Sequence, residues 1–237
     1  QIRRDFSANV SHELKTPLTT IKGFGELLEN GIFTKEEDVK KYGGMIYRES
    51  ERLLYLINDI IRLSQIEEQE HVLNDKIDLL KTAHDVEEIL RHKADNREVT
   101  MTVEGEPVRI YGNQSYITEL FLNLMDNAIK YNHEGGSLKV TVGAEDGKAV
   151  AVFSDTGIGI SDEHQSRIFE RFYRVDKSRS KKIGGTGLGL SIVKHIVAYH
   201  SGEIQLESEL EKGTTITVKL PFNEPETQQA EGTAVTE

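Results

Sequence analysis

A histidine lies within a short polar segment near the start of the sequence. Residues 11–17 are Ser-His-Glu-Leu-Lys-Thr-Pro, so His12 is followed by Glu13 and, one helical turn later, by Thr16. A neutral imidazole is a competent nucleophile when a neighbouring base accepts its proton, and Glu13 is adjacent. The Thr16 hydroxyl, at i+4, could position a water molecule near the same point. A lone exposed histidine is usually an ordinary surface residue, but His-Glu-x-x-Thr-Pro on a helix favours a reactive side chain.

A second polar group follows helical spacing in the middle of the chain. Asn123, Asn127, Lys130 and Tyr131 stand at i, i+4, i+7 and i+8, which is one face of a helix. Amide oxygens on this face can ligate a hard cation, and Lys130 can meet phosphate oxygens. The alternative is that the asparagines only cap or cross-link a surface helix.

A strand-like run over residues 150–155 ends in a glycine-containing turn. Asp155 stands at its end, and Gly157 and Gly159 let the backbone pass close to a ligand. Asp155 is placed to accept a hydrogen bond from an exocyclic amine such as that of adenine. Asp-x-Gly-x-Gly alone is often only a turn.

A glycine-rich segment precedes a second amphipathic stretch. Such a turn presents backbone N–H groups and the positive end of a helix dipole to phosphate. It is neither a Walker loop nor a dinucleotide fingerprint, because it lacks the Gly-Lys-Ser/Thr ending and no βαβ unit surrounds it. Upstream lie Tyr173, Arg174 and a basic stretch at 177–182, which favour a flexible nucleotide lid over an ordinary solvated loop. The residues of the turn are Gly185, Thr186, Gly187, Leu188 and Gly189.

The elements that must position these residues fall into two regions. Residues 1–68 show heptad-like apolar spacing in two runs, separated by Asn30-Gly31 and a capping box beginning at Thr34. The pattern predicts a helical hairpin. A hairpin of this size cannot bury its apolar stripe alone, so we expect two copies to form a four-helix bundle, and hence a homodimer.

The rest of the chain mixes helical and strand periods after a polar linker. Together they predict an α/β sandwich, one mostly antiparallel sheet covered on one face by helices. The tail after Pro221 is poor in large apolar residues, and we expect it to be disordered. The predicted helices lie near 79–94, 114–131 and 187–200, and the predicted strands near 98–103, 137–144, 148–154, 203–208 and 214–220.

Composition limits the possible functions. The 237 residues carry a formal net charge of −11, which disfavours binding to nucleic acid or to an anionic membrane. The absence of cysteine excludes disulfides, thiolate catalysis and cysteine-ligated zinc. No apolar run is long enough to span a bilayer, and no signal peptide opens the chain. Because the chain starts inside a helical pattern, we expect a fragment of a longer protein.

Taken together and in this order, the motifs resemble those of sensor histidine kinases of the two-component type. The resemblance extends from residue 5 to residue 222. The sequences of these motifs are most similar to those of Gram-positive membrane sensors of the phosphate-limitation and cell-wall type. The matching segments are 12–17 (H box), 123–131 (N box), 155–160 (G1 box), 169–174 (F box), 185–190 (G2 box) and the Gly-Thr-Thr turn at 213–215.

The resemblance implies a dimerisation and phosphotransfer domain over residues 1–67, a linker at 68–72, an ATP-binding domain of the Bergerat type over 73–222 and a disordered tail at 223–237. His12 would accept phosphate from ATP with Glu13 as base, and Thr16 would orient the water that dephosphorylates a partner response regulator. Asn127 would hold Mg²⁺ with help from Asn123, and Asp155 would recognise adenine. The remaining nucleotide contacts would come from Lys130, Tyr131, Tyr173, Arg174 and the glycines of the G1 and G2 boxes.

The implied protein is an ATP-dependent protein-histidine kinase with phosphatase activity towards its regulator. It would be the cytoplasmic portion of a bacterial membrane sensor, attached only through N-terminal segments absent from this sequence. Two alternatives stay open. A Bergerat-type ATPase that does conformational work would hydrolyse ATP without forming phosphohistidine, and a non-catalytic dimeric scaffold would not bind ATP–Mg²⁺.

Overall fold

A computed structural model describes residues 2–33, 35–68, 73–176 and 185–222, with side chains described from residue 9 onwards. Several predicted features lie outside these residues: the capping residue Thr34, linker residues 69–72, the basic stretch at 177–182 and the tail at 223–237. The chain divides into two compact units. The first comprises Gln1–Glu68 and Glu163–His195, and the second Gln69–Asp162 and Ile196–Glu237. The predicted domain boundaries remain predictions.

The first unit contains the predicted helical hairpin. Helix α1 spans Ile2–Glu29 and helix α2 spans Glu36–Glu68. The Asn30 side-chain amide donates to the Glu26 carbonyl at 2.7 Å, and Gly31 takes a left-handed φ of +66°. Both features satisfy and turn the end of a helix, so Asn30-Gly31 ends α1 as predicted.

Burial along α2 differs from the predicted apolar stripe. Leu56, Leu63 and Ile66 are buried outside the predicted stripe, whereas Val39 and Ile57 of the stripe are exposed in the single chain. The predicted stripe comprises Val39, Tyr42, Ile46, Ser50, Leu53, Ile57, Ile60 and Ser64. The C-terminal half of α2 carries apolar side chains on more than one side, and residues 163–195 belong to the same compact unit. A single heptad stripe therefore does not include all the apolar side chains of this half of the helix.

The helices of the described segments do not meet the requirements of a membrane span. Among them, no stretch is both long enough and apolar enough to cross a bilayer.

The second unit is built on a sheet that has five strands in the described residues. These strands are β2 (Thr100–Gly105), β4 (Ser137–Glu145), β5 (Lys148–Asp155), β6 (Glu203–Glu209) and β7 (Gly213–Pro221). Their order in the sheet is β2-β4-β5-β7-β6. Strands β2 and β4 run parallel, and the other neighbours run antiparallel, which confirms the prediction of a mostly antiparallel sheet. Two short strands, β1 (Asp75–Asp78) and β3 (Arg109–Gly112), form a separate antiparallel pair that the sequence did not predict.

Four further helices follow the hairpin in the described residues. Asp78 caps α3 by accepting from the Lys81 N–H at 3.1 Å, and Asn113 caps α4 by accepting from the Tyr116 N–H at 3.2 Å. The Asp78 and Asn113 side chains fix where α3 and α4 begin. The helices are α3 (Leu79–Asp95), α4 (Gln114–Lys130), α5 (Asp162–Gln165) and α6 (Gly189–Tyr199).

The core of the second unit lies between the sheet and α4. Phe121 of α4 meets Phe153 of β5 edge to face, with ring centroids 5.0 Å apart. Each fully buried side chain of this size contributes about 1.5–3 kcal/mol. With one face of α4 committed to the core, its polar face is left outside. The buried residues of that face include Ile117, Leu120, Phe121, Leu124, Met125, Ala128 and Ile129.

Candidate active site

The polar face of α4 carries the predicted cation ligands. Asn123, Asn127 and Lys130 are half-buried on the side opposite the core. The Asn123 amide nitrogen donates to the Glu119 carbonyl at 3.0 Å, which leaves its oxygen available. The Asn127 side chain forms no hydrogen bond within the described residues. Both asparagines can therefore offer an amide oxygen to a ligand.

Lys130 is held by a carboxylate one turn earlier on the same helix. Its Nζ lies 2.6 Å from Asp126 Oδ2, and the other carboxylate oxygen of Asp126 pairs with Lys93 of α3. Arg97, just beyond α3, donates to the Lys130 carbonyl at 2.8 Å. Lys93 at the end of α3 and Arg97 just after it thus lie at the C-terminal end of α4, where the helix dipole favours positive charge.

Asp155, at the end of β5, is fixed by two backbone donors. Its Oδ1 accepts from the Gly157 N–H at 2.8 Å and from the Thr214 N–H at 3.3 Å. Burial raises the pKa of the Asp155 carboxyl, and the two hydrogen bonds act in the opposite direction. Both bonds end on Oδ1, so within the described residues Oδ2 has no hydrogen-bond donor. A carboxylate oriented in this way can accept a hydrogen bond from an amine.

The turn after Asp155 requires its glycines. A Cβ on Gly157 would lie 2.4 Å from the Tyr131 carbonyl oxygen, the same oxygen that accepts the Ile158 N–H at 3.0 Å. Gly159 has a φ of +66°, and its Cβ would lie 2.0 Å from the Glu209 carbonyl oxygen. The structure therefore brings Tyr131, Gly157 and Asp155 together in the second unit, with Gly159 on the same turn.

His12 is exposed on α1. Its imidazole forms no hydrogen bond or ion pair with another described residue. The Thr16 hydroxyl donates to the His12 backbone carbonyl at 3.2 Å, so it lies one turn away on the same side of the helix. Pro17 is accommodated inside α1 and is buried. Its missing N–H leaves the Glu13 carbonyl without the usual helical donor.

Glu13 contacts arginines in this structure. Its Oε2 accepts from Arg174 Nη2 at 3.0 Å and lies 3.6 Å from Arg52 Nη2 of α2. The Arg174 side chain is only 8% exposed, and Arg52 also lies 3.5 Å from Glu49. The predicted base for His12 and a predicted phosphate ligand are thus paired with each other within the first unit.

The glycine-rich turn is bound to α2 and to Arg174. The Thr186 hydroxyl donates to Asp59 Oδ2 at 2.6 Å, and its carbonyl accepts from Arg174 Nη2 at 2.7 Å. Gly187 has a φ of +78°, and a Cβ there would lie 3.0 Å from Phe172 Cα. Leu188 is fully buried, which anchors the start of α6.

The two outer residues of this segment have different environments. Gly185 is half-buried at the edge of the described residues, and Gly189 is the first residue of α6.

Tyr173 contacts two side chains of the same unit. The Tyr173 hydroxyl lies 2.7 Å from His164 Nδ1, and the Arg167 guanidinium lies 4.3 Å from the Tyr173 ring centroid. Tyr173 is therefore fixed by a hydrogen bond and a cation–π contact.

Sequence reasoning missed three residues of these clusters. Asp126 could have been found, because it stands four residues before Lys130 and oppositely charged groups at this spacing pair on a helix. Lys93 gave no local signal, since its partner Asp126 lies on another helix. The spacing of Arg52 indicates only its pairing with Glu49 on α2, and not its contact with Glu13 on α1.

Within the described residues, the candidate ligands for Mg²⁺ are amide oxygens and not clustered carboxylates. They contain no cluster of three or more His, Cys, Asp or Glu side chains able to hold a metal. Mg²⁺ is commonly bound through one or two protein oxygens together with water and substrate phosphates. The available amide oxygens of Asn127 and Asn123 fit that mode of binding.

Comparison with known proteins identifies two family models in the chain. The His Kinase A (phospho-acceptor) domain matches residues 2–69. The histidine kinase-, DNA gyrase B- and HSP90-like ATPase matches residues 112–224.

Individual relatives agree with these models. Sensor protein SrrB of Staphylococcus aureus is 34% identical over 223 residues, which cover 93% of this chain and 38% of SrrB. The chain thus spans less than half the length of this relative. Histidine kinase ThkA, solved in complex with response regulator protein TrrA, has a TM-score of 0.73 at 26% identity, covering 92% of this chain and 61% of ThkA. Full-length ShkA in complex with AMPPNP has a TM-score of 0.66 at 27% identity, covering 91% and 45%.

Proposed function

Because this chain belongs to the sensor histidine kinases, we propose that it transfers the γ-phosphoryl group of ATP to His12. The observation that carries the proposal is the exposed imidazole of His12, which has no partner among the described residues, inside a matched phospho-acceptor domain and followed by Glu13 and Thr16. An exposed imidazole costs nothing to present to an incoming phosphate, and it needs only a proton acceptor.

The second unit supplies the adenine end of the nucleotide site. Asp155 Oδ2 accepts a hydrogen bond from the exocyclic amine of adenine, while Oδ1 keeps the hydrogen bonds from the Gly157 and Thr214 amides. This arrangement orients the carboxylate before the ligand arrives, which lowers the cost of binding. AMPPNP, an ATP analogue, is bound in the ShkA structure.

The phosphate end is formed by charged and amide groups. Lys130 meets phosphate oxygens. The family resemblance assigns further nucleotide contacts to Arg174, Tyr173 and the glycine-rich turn at residues 185–189. Asn127, assisted by Asn123, would hold Mg²⁺, and the ion would neutralise phosphate charge.

The transfer forms one bond and breaks one bond. An imidazole nitrogen of His12 attacks the γ-phosphorus, the bond to the β,γ-bridging oxygen breaks, and ADP leaves. The imidazole proton passes to Glu13. Glu13 must first leave the arginines that hold it here, and Arg174 is then available to stabilise charge on the transferring group.

The phosphoryl group then passes to an aspartate of a response regulator. Support comes from ThkA, which was solved in complex with the regulator TrrA. In the reverse role, Thr16 orients a water molecule that removes phosphate from the regulator. Its hydroxyl lies on the same side of α1 as His12.

The hairpin associates with a second copy of itself. Tyr47, Leu54 and Ile61 recur every seven residues on α2 and are exposed, as is Leu18 on α1. A heptad row of exposed apolar side chains is the pattern that a four-helix bundle buries. The parent protein is proposed to be a membrane sensor whose cytoplasmic portion includes this chain.

The Thr16 proposal is tested with a panel of purified receiver domains. The chain is labelled with γ-³²P-ATP and mixed with each receiver, and label transfer and loss are followed. The Thr16→Ala variant should keep autophosphorylation and transfer but lose regulator dephosphorylation by about 10²-fold, the typical contribution of a positioned proton-transfer group. Thr19→Ala is the matched control, because its hydroxyl also donates to a carbonyl one turn earlier, at 2.8 Å. Equal phosphatase rates in the two variants would contradict the role of Thr16.

A further inference from the structure

Three charged side chains of the second unit form a shared cluster beside Asn127. Asp126 lies between two lysines, with Oδ2 2.6 Å from Lys130 and Oδ1 paired with Lys93. Each lysine uses a different carboxylate oxygen, so the two pairs do not exclude each other. The Asp126 and Lys130 side chains are 22% and 20% exposed, and Lys93 is 40% exposed.

Lys130 has two competing partners, the Asp126 carboxylate and the ATP phosphates, and Lys93 reduces that competition. A lysine that serves ATP phosphates has to leave its carboxylate partner, and a largely buried carboxylate left without a partner is costly. Lys93 stays on Asp126 from the neighbouring helix when Lys130 departs. Arg97, one turn beyond Lys93, holds the Lys130 carbonyl at 2.8 Å, so the helix end stays in place while the side chain moves.

We infer that Lys93 is a positioning residue for nucleotide binding: it is the replacement counter-ion of Asp126 that frees Lys130 for the phosphates. The inference rests on the proposed nucleotide site and deepens it. Without Lys93, Asp126 has Lys130 as its remaining cation in the cluster, and ATP must compete with that carboxylate for the lysine.

The test is a set of nucleotide titrations with the whole chain at low ionic strength, using ATP–Mg²⁺ and, separately, adenosine. Lys93→Met should weaken ATP binding by about 3- to 5-fold, the range expected of a partly exposed ion pair, and leave adenosine binding unchanged. Lys148→Met is the matched control, because it removes an equally charged lysine that pairs with Glu203 between strands of the same unit. It should leave both affinities unchanged.

Two double variants separate this role from general electrostatic attraction. If Lys93 acts through Asp126 and Lys130, Lys93→Met should have no effect in an Asp126→Asn background, and none in a Lys130→Met background. A loss of ATP affinity that persists in both backgrounds would overturn the inference in favour of direct attraction between Lys93 and phosphate. A loss that extends equally to adenosine would overturn it in favour of a structural defect.

The failure of the inference is distinguishable from failure of the proposed function. If the unaltered chain bound neither ATP–Mg²⁺ nor adenosine, the nucleotide site itself would be wrong. If it bound both and Lys93→Met matched Lys148→Met, only the counter-ion role would be wrong.

Discussion

We expect the Asp155 carboxylate to strengthen nucleotide binding and to lower the stability of the fold. The Asp155→Asn variant separates the two effects. The asparagine oxygen can keep both hydrogen bonds now made by Oδ1, from Gly157 and Thr214. The other oxygen becomes an NH₂ group. A donor there faces the adenine amine, itself a donor, so the recognition bond is lost.

The size of each effect follows from this exchange. A hydrogen bond to a charged group contributes about 1.5–3 kcal/mol, so ATP should bind roughly 10- to 150-fold more weakly. Stability should change in the opposite direction, because burial raises the pKa of Asp155 and so opposes its ionised form. The neutral amide avoids that cost. Each kcal/mol gained should raise Tm by about 2–4 °C for a chain of this size.

The pH dependence has a definite sign. The folded state holds the Asp155 proton more tightly than the unfolded state does, since its pKa is raised. The stability that protonation contributes is fully present below the ordinary aspartate pKa of about 3.9 and is lost as pH rises through the raised value. The Tm advantage of Asp155→Asn should therefore be absent near pH 4 and appear on raising the pH to 7.

The assay combines calorimetric ATP titration with thermal unfolding over that pH range. Asp95→Asn, an exposed change at the end of α3, is the control and should alter neither. Unchanged ATP affinity in Asp155→Asn would refute adenine recognition by this carboxylate. A lower Tm than that of the unaltered chain at pH 7 would refute the desolvation argument.

Two further predictions concern packing around the site. Gly213→Ala should destabilise the second unit by about 1–3 kcal/mol and weaken ATP binding, because φ is +113° and the new Cβ would lie 1.9 Å from the Asp155 carbonyl oxygen. Gly143→Ala, with nothing within 4 Å of its Cβ, is the control, and an equal Tm for the two variants would contradict the prediction. His200→Leu should cost about 1–3 kcal/mol in thermal unfolding, because buried His200 Nε2 accepts the Asn113 N–H at 3.1 Å and leucine leaves that donor unsatisfied. An unchanged Tm would show that water replaces the imidazole.

Local sequence patterns were sufficient to predict a helix or strand where one face of that element is buried. The strands predicted near 137–144 and 214–220 are confirmed as β4 and β7, whose alternating side chains are buried. The amide face of α4 was predicted from its spacing, and its opposite face forms the core. The sensor histidine kinase family itself is confirmed by the family models.

Features that depend on partners far along the chain were not predictable. Strand β1 is four residues long, and three of them are charged, so it carries no apolar alternation, and its pairing with β3 emerges only in the fold. The same limit applies to the contacts of Glu13 with Arg52 and Arg174, because sequence spacing says nothing about which cations a folded chain brings to a carboxylate.

The parallel pairing of β2 and β4 is a third case. A parallel neighbour requires a crossover, here through α4, and the strand pattern alone does not specify the direction of a neighbour. The roles proposed for individual residues stay predictions, since they depend on ligands that spacing and burial do not identify.

Phosphorylation of His12 is tested most directly by incubation of the chain with γ-³²P-ATP and Mg²⁺, followed by acid and alkali treatment. Three chains are compared: the unaltered chain, His12→Gln, and a control, His84→Gln, which replaces another exposed histidine. We expect label that survives alkali, is lost in acid, persists in His84→Gln and is absent from His12→Gln. Label that remained in His12→Gln, or ATP hydrolysis without any labelled protein, would contradict it.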